Sequence, residues 1–528
     1  MRRKRLAWLL GLAVLIVVPP LSFLLWLAVD VPAGSVPLGR ETTYFTGPLD
    51  AEGYVDYEAA LNDALGAGVT PETNANVLIW QAIGPRPEGT KVLPEYFRRL
   101  GIDEPPEPGD YFLSLDAFLS QHRQLYPIEL SEILEHRTNV TSRPWKAEEY
   151  PHVAAWLKAD ERPLDLVIEA SKRPHYYNPL VSGANPGSLL GALLPSVQKS
   201  RELAYALTAR ALLRASQGDG EGAWQDLLAC HRLACLIGGG GTLIEALVGM
   251  AIEHMTCNAD LAFLSEAKLS KEQILQCLKD LQALPSLPPL ADNISVGERS
   301  MWLNSLQLIQ RGYLGYLENP TSSNPPGKPT WFARRMTAKI DWEPALRRGN
   351  EWYDRLAASL SIEDQAKRNK ELQAIDRELK KRMQEIRGQV GLSQVYLILG
   401  GSRKTVGIMI GEILVGLLTP AVLKAQTAHD KSEQMRRNVQ IAFALAAYRS
   451  QYGRYPEKLD SLVPEYLATL PDDLFSGKPV IYRLTEDGYL LYSVGPNGED
   501  EGGRGPEDQP RGDDLTVRVP QPRPDPDQ

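Results

Sequence analysis

With 528 residues, of which 43% are hydrophobic and 23% charged, the chain has room for two or three domains and enough apolar side chains to build real cores, which excludes a disordered protein. Its formal net charge of −9, with no basic stripe outside short helical segments, argues against nucleic acid as a partner, because phosphate binding needs a basic surface. The four cysteines (Cys230, Cys235, Cys257, Cys277) fall in one stretch that reads as helices, so they are expected as small core residues rather than as a disulfide framework.

The chain opens with Met1-Arg-Arg-Lys-Arg5 and continues with an apolar run from Leu6 to Val29 that holds no charged residue. At about 1.5 Å per residue these roughly 24 residues reach about 36 Å, more than the ~30 Å hydrocarbon core of a bilayer. A cleaved signal peptide competes with this reading, but its apolar region usually runs to about 7–15 residues, and Val31-Pro-Ala-Gly34 is a weak cleavage site. The expectation is a single-pass protein of the bacterial inner membrane, with residues 1–30 as a cytoplasmic basic stub and transmembrane helix and everything after Asp30 extracytoplasmic.

Residues 31–400 are expected to form a multi-helix body with helical hairpins. Short helices are predicted over Asp56–Gly66 and Asn74–Ile83, the second carrying Trp80 half-buried in a core. From Arg201 to Phe263 the pattern is clearer: Leu203, Leu207, Ala211 and Leu212 share one face, Gln217-Gly-Asp-Gly-Glu-Gly222 breaks the helix, and Trp224, Leu227, Leu228 and Ala234 mark its return. This predicts an antiparallel hairpin with Trp224 in its seam. The run Gly238-Gly-Gly-Gly241 lacks the lysine and hydroxyl residue of a phosphate-binding loop and reads as a connection, and Ser270 with Gln273 forms a capping box for a further helix. Ser361 is expected to open a charged helix to about Arg387, with Leu372, Ile375, Leu379, Met383 and Ile386 as a narrow apolar stripe.

Two constellations could carry chemistry. Cys230, His231, Cys235, His254 and Cys257 offer ligand types that zinc accepts, and His231, His254 and Glu253 could form a metal or acid/base centre, which gives the alternative of a metal-dependent enzyme with its site in the helical body. Against it, the chain has no Cys-x-x-Cys, Gly-x-Ser-x-Gly, His-Glu-x-x-His or Walker sequence, so nothing demands catalysis and a non-enzymatic chain is expected.

The C-terminal quarter is more specific. An apolar segment from Val406 to Leu423, interrupted by Glu412 and Pro420, leads into an amphipathic helix ending at Tyr448; then follow Tyr452-Gly-Arg-Tyr-Pro456, a short helix with Leu459 and Leu462, and Leu470-Pro-Asp-Asp-Leu-Phe475. Two strands, Val480–Leu484 and Tyr489–Val494, should turn at Asp487-Gly488. This order, over about 405–519, resembles the major pseudopilin of type II secretion, which implies a small α+β domain with an antiparallel sheet. Val406–Leu423 is long enough, at about 27 Å, to cross a membrane, but a mid-span glutamate is costly in lipid, so it reads as a helix packed on the body. Gly407 and Glu412 have the spacing of a prepilin processing site, yet that signal belongs at a chain's N-terminus.

The resemblance further implies a calcium ion held in the acidic, glycine-rich loop before the last strand, here Pro496-Asn-Gly-Glu-Asp-Glu-Gly-Gly503 and onward to Gly512-Asp-Asp-Leu515. Asn497 falls where the family has its first acidic ligand, and Asp513 and Asp514 match the acidic pair before the last strand. The chain departs from the family in that asparagine and in the insert from Arg504 to Arg511. Residues 520–528, rich in Pro and Asp, are expected to be disordered. The resulting reading is a membrane-anchored envelope protein with a structural or interaction role toward an unknown envelope protein.

Overall fold

The computed structural model of the chain describes residues 36–520 except 88, 90, 91, 184–186, 193, 316–327 and 399–402. The described chain is mainly helical and carries one small three-stranded antiparallel sheet near its C-terminus. The predicted transmembrane helix within 1–30 and the tail beyond Pro520 lie outside the described residues. Among the described residues one helix, Arg403–Tyr452, is long and apolar enough to cross a membrane by length and composition.

Two compact units are each assembled from three stretches of chain. One takes the described residues of 36–65, 180–192 and 291–423; the other takes the described residues of 66–179, 194–290 and 424–520.

The second unit is built around the expected hairpin, helices Pro195–Ser216 and Gly220–Gly238. The turn is tighter than the glycine pattern suggests: Asp219 caps the returning helix by accepting the Gly222 N–H at 2.9 Å, so helix resumes at Gly220. The predicted inner face Leu203, Leu207, Ala211 and Leu212 is buried, each leucine contributing about 1.5–3 kcal/mol. Charge is also buried in the seam, where the Arg210 guanidinium meets Asp226 at 2.8 Å; it also reaches the exposed Asp165, on the helix Glu161–Ser171, at 3.0 Å. Trp224, however, is not in that seam. Its ring stacks on Phe263 at 6.2 Å, lies 5.6 Å from Phe443, and its indole N–H donates to Asp280 at 2.9 Å. Cys230 faces the first helix, donating to the Ala204 carbonyl and lying 3.9 Å from the Thr208 hydroxyl, whereas the Trp224 ring meets the third, fourth and long C-terminal helices.

The third helix, Leu243–Glu266, starts directly after the glycine run because Thr242 and Glu245 form a capping box, and it crosses the hairpin closely: a Cβ on Gly249 would stand 2.6 Å from the Ala234 carbonyl. The fourth, Lys271–Ala283, carries the expected box of Ser270 and Gln273. Trp80, in the helix Ala75–Ile83, is fully rather than half buried, with its N–H donating to the Tyr96 hydroxyl at 2.9 Å.

In the first unit the charged helix runs Gln365–Ile398, and Asp364 caps it by accepting the Lys367 N–H, whereas Ser361 closes the preceding helix Glu343–Leu360. Leu372, Ile375, Leu379 and Ile386 are buried as the stripe predicts. The apolar segment 406–423 packs on these helices: Glu412, 2% exposed, lies 3.3 Å from both Arg348 and Arg382, and a Cβ on Gly407 would meet the Asp341 carbonyl. Two guanidiniums thus neutralise the glutamate that would be costly in lipid.

The helix Arg403–Tyr452 passes through Pro420 and delivers its second half to the sheet. Strand β1 (Ile481–Leu484) pairs with β2 (Tyr489–Ser493) through the predicted turn, Leu484 opposite Tyr489, and β2 pairs with β3 (Leu515–Val519), Ser493 opposite Leu515. On the helix, fully buried Gln434 accepts the Leu474 N–H at 2.8 Å, and Asn438 donates to the Leu515 carbonyl at 2.9 Å. These bonds tie the helix to the segment ahead of β1 and to the first residue of β3, where the β2–β3 loop ends.

Candidate functional site in the loop between the last two strands

The loop between β2 and β3 is anchored before it begins. Asp473 is buried and accepts from the Ser493 hydroxyl at 2.6 Å and from the Val494 N–H at 3.2 Å, which locks the end of β2. Gly495 then takes φ +68°, and a Cβ there would stand 2.2 Å from the Asp513 carbonyl, so only glycine lets the two arms of the loop close. The insert folds on itself rather than opening the loop: the Gly512 N–H donates to the Gly505 carbonyl at 3.1 Å, and Asp508 accepts from Arg518 through Nη1 at 2.9 Å.

This closure gathers carboxylates. Glu501, Asp513 and Asp514 each place an oxygen within 4.8 Å of the others. Asp514 is 1% exposed; one of its oxygens accepts the Gly503 N–H at 2.7 Å, while Oδ1 of Asp514 and Oδ1 of Asp513 are buried without a hydrogen-bond partner. Burial pushes the Asp514 carboxyl up to about 6, against the Gly503 N–H that lowers it and with Glu501 alongside raising it further. Asp513 is also pushed up, first by burial, with the Asn497 N–H opposing and Glu501 assisting. Orphaned buried oxygens crowded by like charge have the chemistry of a hard-cation site, since calcium takes 6–8 oxygen ligands in adaptable geometry.

Of the three residues expected from sequence, Asp513 and Asp514 come together. Asn497 borders them differently: its backbone N–H donates to Asp513 at 3.1 Å, its side-chain nitrogen donates to Glu501 at 2.5 Å, and its oxygen accepts the Glu499 N–H at 2.6 Å. The third carboxylate is Glu501, which sequence reading missed. Its only signal there was membership of the acidic run, because the loop conformation decides which acid turns inward.

The other constellation is brought together in part. The His231 ring lies 3.0 Å from Glu253 and 2.8 Å from Asp260, and Glu253 accepts from Arg436 at 2.6 Å. His231, Glu253 and Asp260 are all 0% exposed. Burial would lower the His231 pKa, but the Glu253 and Asp260 carboxylates outweigh it and raise it to about 9, making the ring an imidazolium. Glu253 goes to about 2 despite burial, held down by His231 and Arg436. Two cations face two carboxylates, with one Asp260 oxygen left without a hydrogen-bond partner, which is the arrangement of a structural ion-pair core. Cys257 donates to Glu253 at 3.5 Å, Cys235 lies 3.4 Å from the Arg436 guanidinium, and Cys230 donates to the Ala204 carbonyl at 3.6 Å. His254 stands apart on the exposed face, near Asn258 at 3.4 Å. The expected Cys and His set is therefore dispersed among separate partners.

In comparisons with protein families, curated proteins and solved structures, the chain matches none.

Proposed function

We propose that this chain is a membrane-anchored protein of the bacterial envelope, non-enzymatic, with a structural or interaction role toward another envelope protein, whose C-terminal part is a pseudopilin-like module that holds a calcium ion. The observation that carries this reading is the acidic cluster Glu501, Asp513 and Asp514, of which Asp514 is buried and the other two are half-buried, set in a glycine-rich loop before the last strand of an antiparallel meander packed on a long helix. Calcium would be held by these three carboxylates and by loop carbonyls, offsetting the burial and like-charge repulsion that raise the Asp514 pKa.

The test compares melting of the full-length chain in millimolar calcium and in chelator. Without the ion, the Asp514 proton stabilises the fold fully below the ordinary carboxylate value of 3.8 and is lost as pH rises through about 6. The gain from calcium should therefore be larger at pH 7.5, where no proton must be displaced, than at pH 5. At ten times Kd the expected stabilisation is about 1.4 kcal/mol. Asp514→Ala should abolish it; coincident melts of the unmodified chain at pH 7.5 would reject the calcium reading.

Topology is tested separately. With Arg2, Arg3, Lys4 and Arg5 inside and one span over 6–29, a reporter fused after Gln528 should be active only outside the cytoplasm. Activity of a cytoplasmic reporter at that point contradicts the single-span arrangement.

A further inference from the structure

The first unit carries a short helix whose exposed face is at odds with water. Trp331–Ala338 is capped by Thr330, which accepts the Ala333 N–H at 3.1 Å, and it buries Ala333 and Thr337. Trp331 is left 67% exposed and Phe332 47% exposed. Two adjacent exposed aromatics at one helix start are unusual, since Trp and Phe bury most of their large apolar area in soluble proteins. The accessible charge beside them is of one sign: Lys328, Arg334 and Arg335 fall between 328 and 338 with no acid among those residues, in a chain whose net charge is −9. Lys328 and Arg334 are exposed, and the Arg335 guanidinium lies 5.9 Å over the Trp331 ring.

Chain continuity places this helix near the bilayer. Val36 and Leu38 line the same cavity as Arg334, Thr337 and Ala338, and Leu38 is itself 44% exposed. The apolar run ends at Val29, and the seven residues from there to Val36 reach at most about 25 Å when fully extended. The helix thus sits on the wall of the unit at which the chain arrives from the membrane. Aromatic rings with cationic neighbours are what the headgroup layer selects: the rings take the boundary between apolar and polar, and the cations meet phosphates.

We infer that the Trp331–Ala338 helix is a membrane-interface contact, laying Trp331 and Phe332 into the headgroup layer of an anionic bilayer while Lys328, Arg334 and Arg335 meet lipid phosphates. It fixes the first unit against the surface, so that the anchor is not a free tether. This inference rests on the reading of residues 6–29 as a membrane helix.

The native cysteines are all buried, so a single added cysteine can be labelled selectively. In the full-length chain, Phe332→Cys, Leu15→Cys and Asp487→Cys are each spin-labelled, the chain is reconstituted into phosphatidylethanolamine–phosphatidylglycerol vesicles, and accessibility to oxygen and to a water-soluble nickel chelate is compared. The label at 332 should show an oxygen-to-nickel ratio several-fold above that at 487, which lies in the exposed β1–β2 turn. The ratio should fall in phosphatidylcholine vesicles and with Arg334→Glu. A label at 332 as water-accessible as that at 487, with the label at 15 in hydrocarbon, overturns the inference and leaves the anchor standing. Labels at both 332 and 15 in water overturn the two together. A label at 332 immobile and shielded from both reagents means that protein covers the face, which also overturns it.

Discussion

His231→Gln is expected to cost about 3–5 kcal/mol, because removing one partner of a buried ion pair leaves an uncompensated charge. In the native chain the imidazolium joins Glu253 to Asp260, and Asp260 already has one buried oxygen without a partner. Glutamine can donate to one carboxylate but brings no charge. Glu253 keeps Arg436, so the loss falls on Asp260, which then stays protonated or draws water into the core. The same network predicts a pH dependence. A His231 pKa raised from 6.5 to about 9 gives stability that is fully present below 6.5 and lost as pH rises through 9; Glu253, held at about 2, gives stability present above 4.5 and lost as pH falls through 2. Burial pushes Asp260 the other way and offsets part of this gain. Denaturant unfolding of the native chain should show stability declining between pH 6.5 and 9, and His231→Gln should flatten that decline. A variant that loses less than about 1 kcal/mol would show that the cluster is not a closed ion-pair core.

Trp224→Ala should cost a similar amount, about 3–5 kcal/mol, but for apolar reasons. The ring touches Phe263 on the third helix and Phe443 on the long C-terminal helix, and it bonds to Asp280 on the fourth. Truncation therefore opens a cavity where four helices of the second unit meet. Trp224→Phe should recover most of the packing and lose only the bond to Asp280, a difference of about 1–2 kcal/mol. Chemical denaturation of the two variants measures both. Equal losses would mean that the hydrogen bond, rather than the aromatic stack, dominates at this position.

Much of this architecture was legible wherever the signal was local. The turn at Asp487-Gly488 and the strands around it follow from period-two alternation, the hairpin of 195–238 from its apolar face, and the start at Lys271 from its capping box. The box of Thr242 and Glu245 obeys the same rule but stands behind four glycines, which read more strongly as a connection. What was not legible depends on distant chain. Asp364 rather than Ser361 opens the charged helix because the preceding helix runs on to Leu360. Arg436 meets Glu253 across 183 positions, so no spacing rule could turn a suspected histidine site into an ion-pair core. In the acidic loop, Asp513 and Asp514 came only from the resemblance to the pseudopilin loop, and the structure brings them together. Glu501 was not legible, because its inward turn depends on the consecutive positive-φ glycines Gly502 and Gly503 that follow it.

Equilibrium dialysis of the full-length chain against calcium at pH 7.5 bears most directly on the acidic loop. One ion per chain is expected, with Kd in the range of extracellular calcium modules, about 10⁻⁴–10⁻³ M. Asp514→Ala and Glu501→Gln should each remove most of the binding, and Asn497→Ala should weaken it less, because Asn497 supplies neutral groups at the border of the cluster. A native chain that retains no calcium at millimolar concentration, or that binds equally well after Asp514→Ala, would contradict the assignment of this loop as a calcium site.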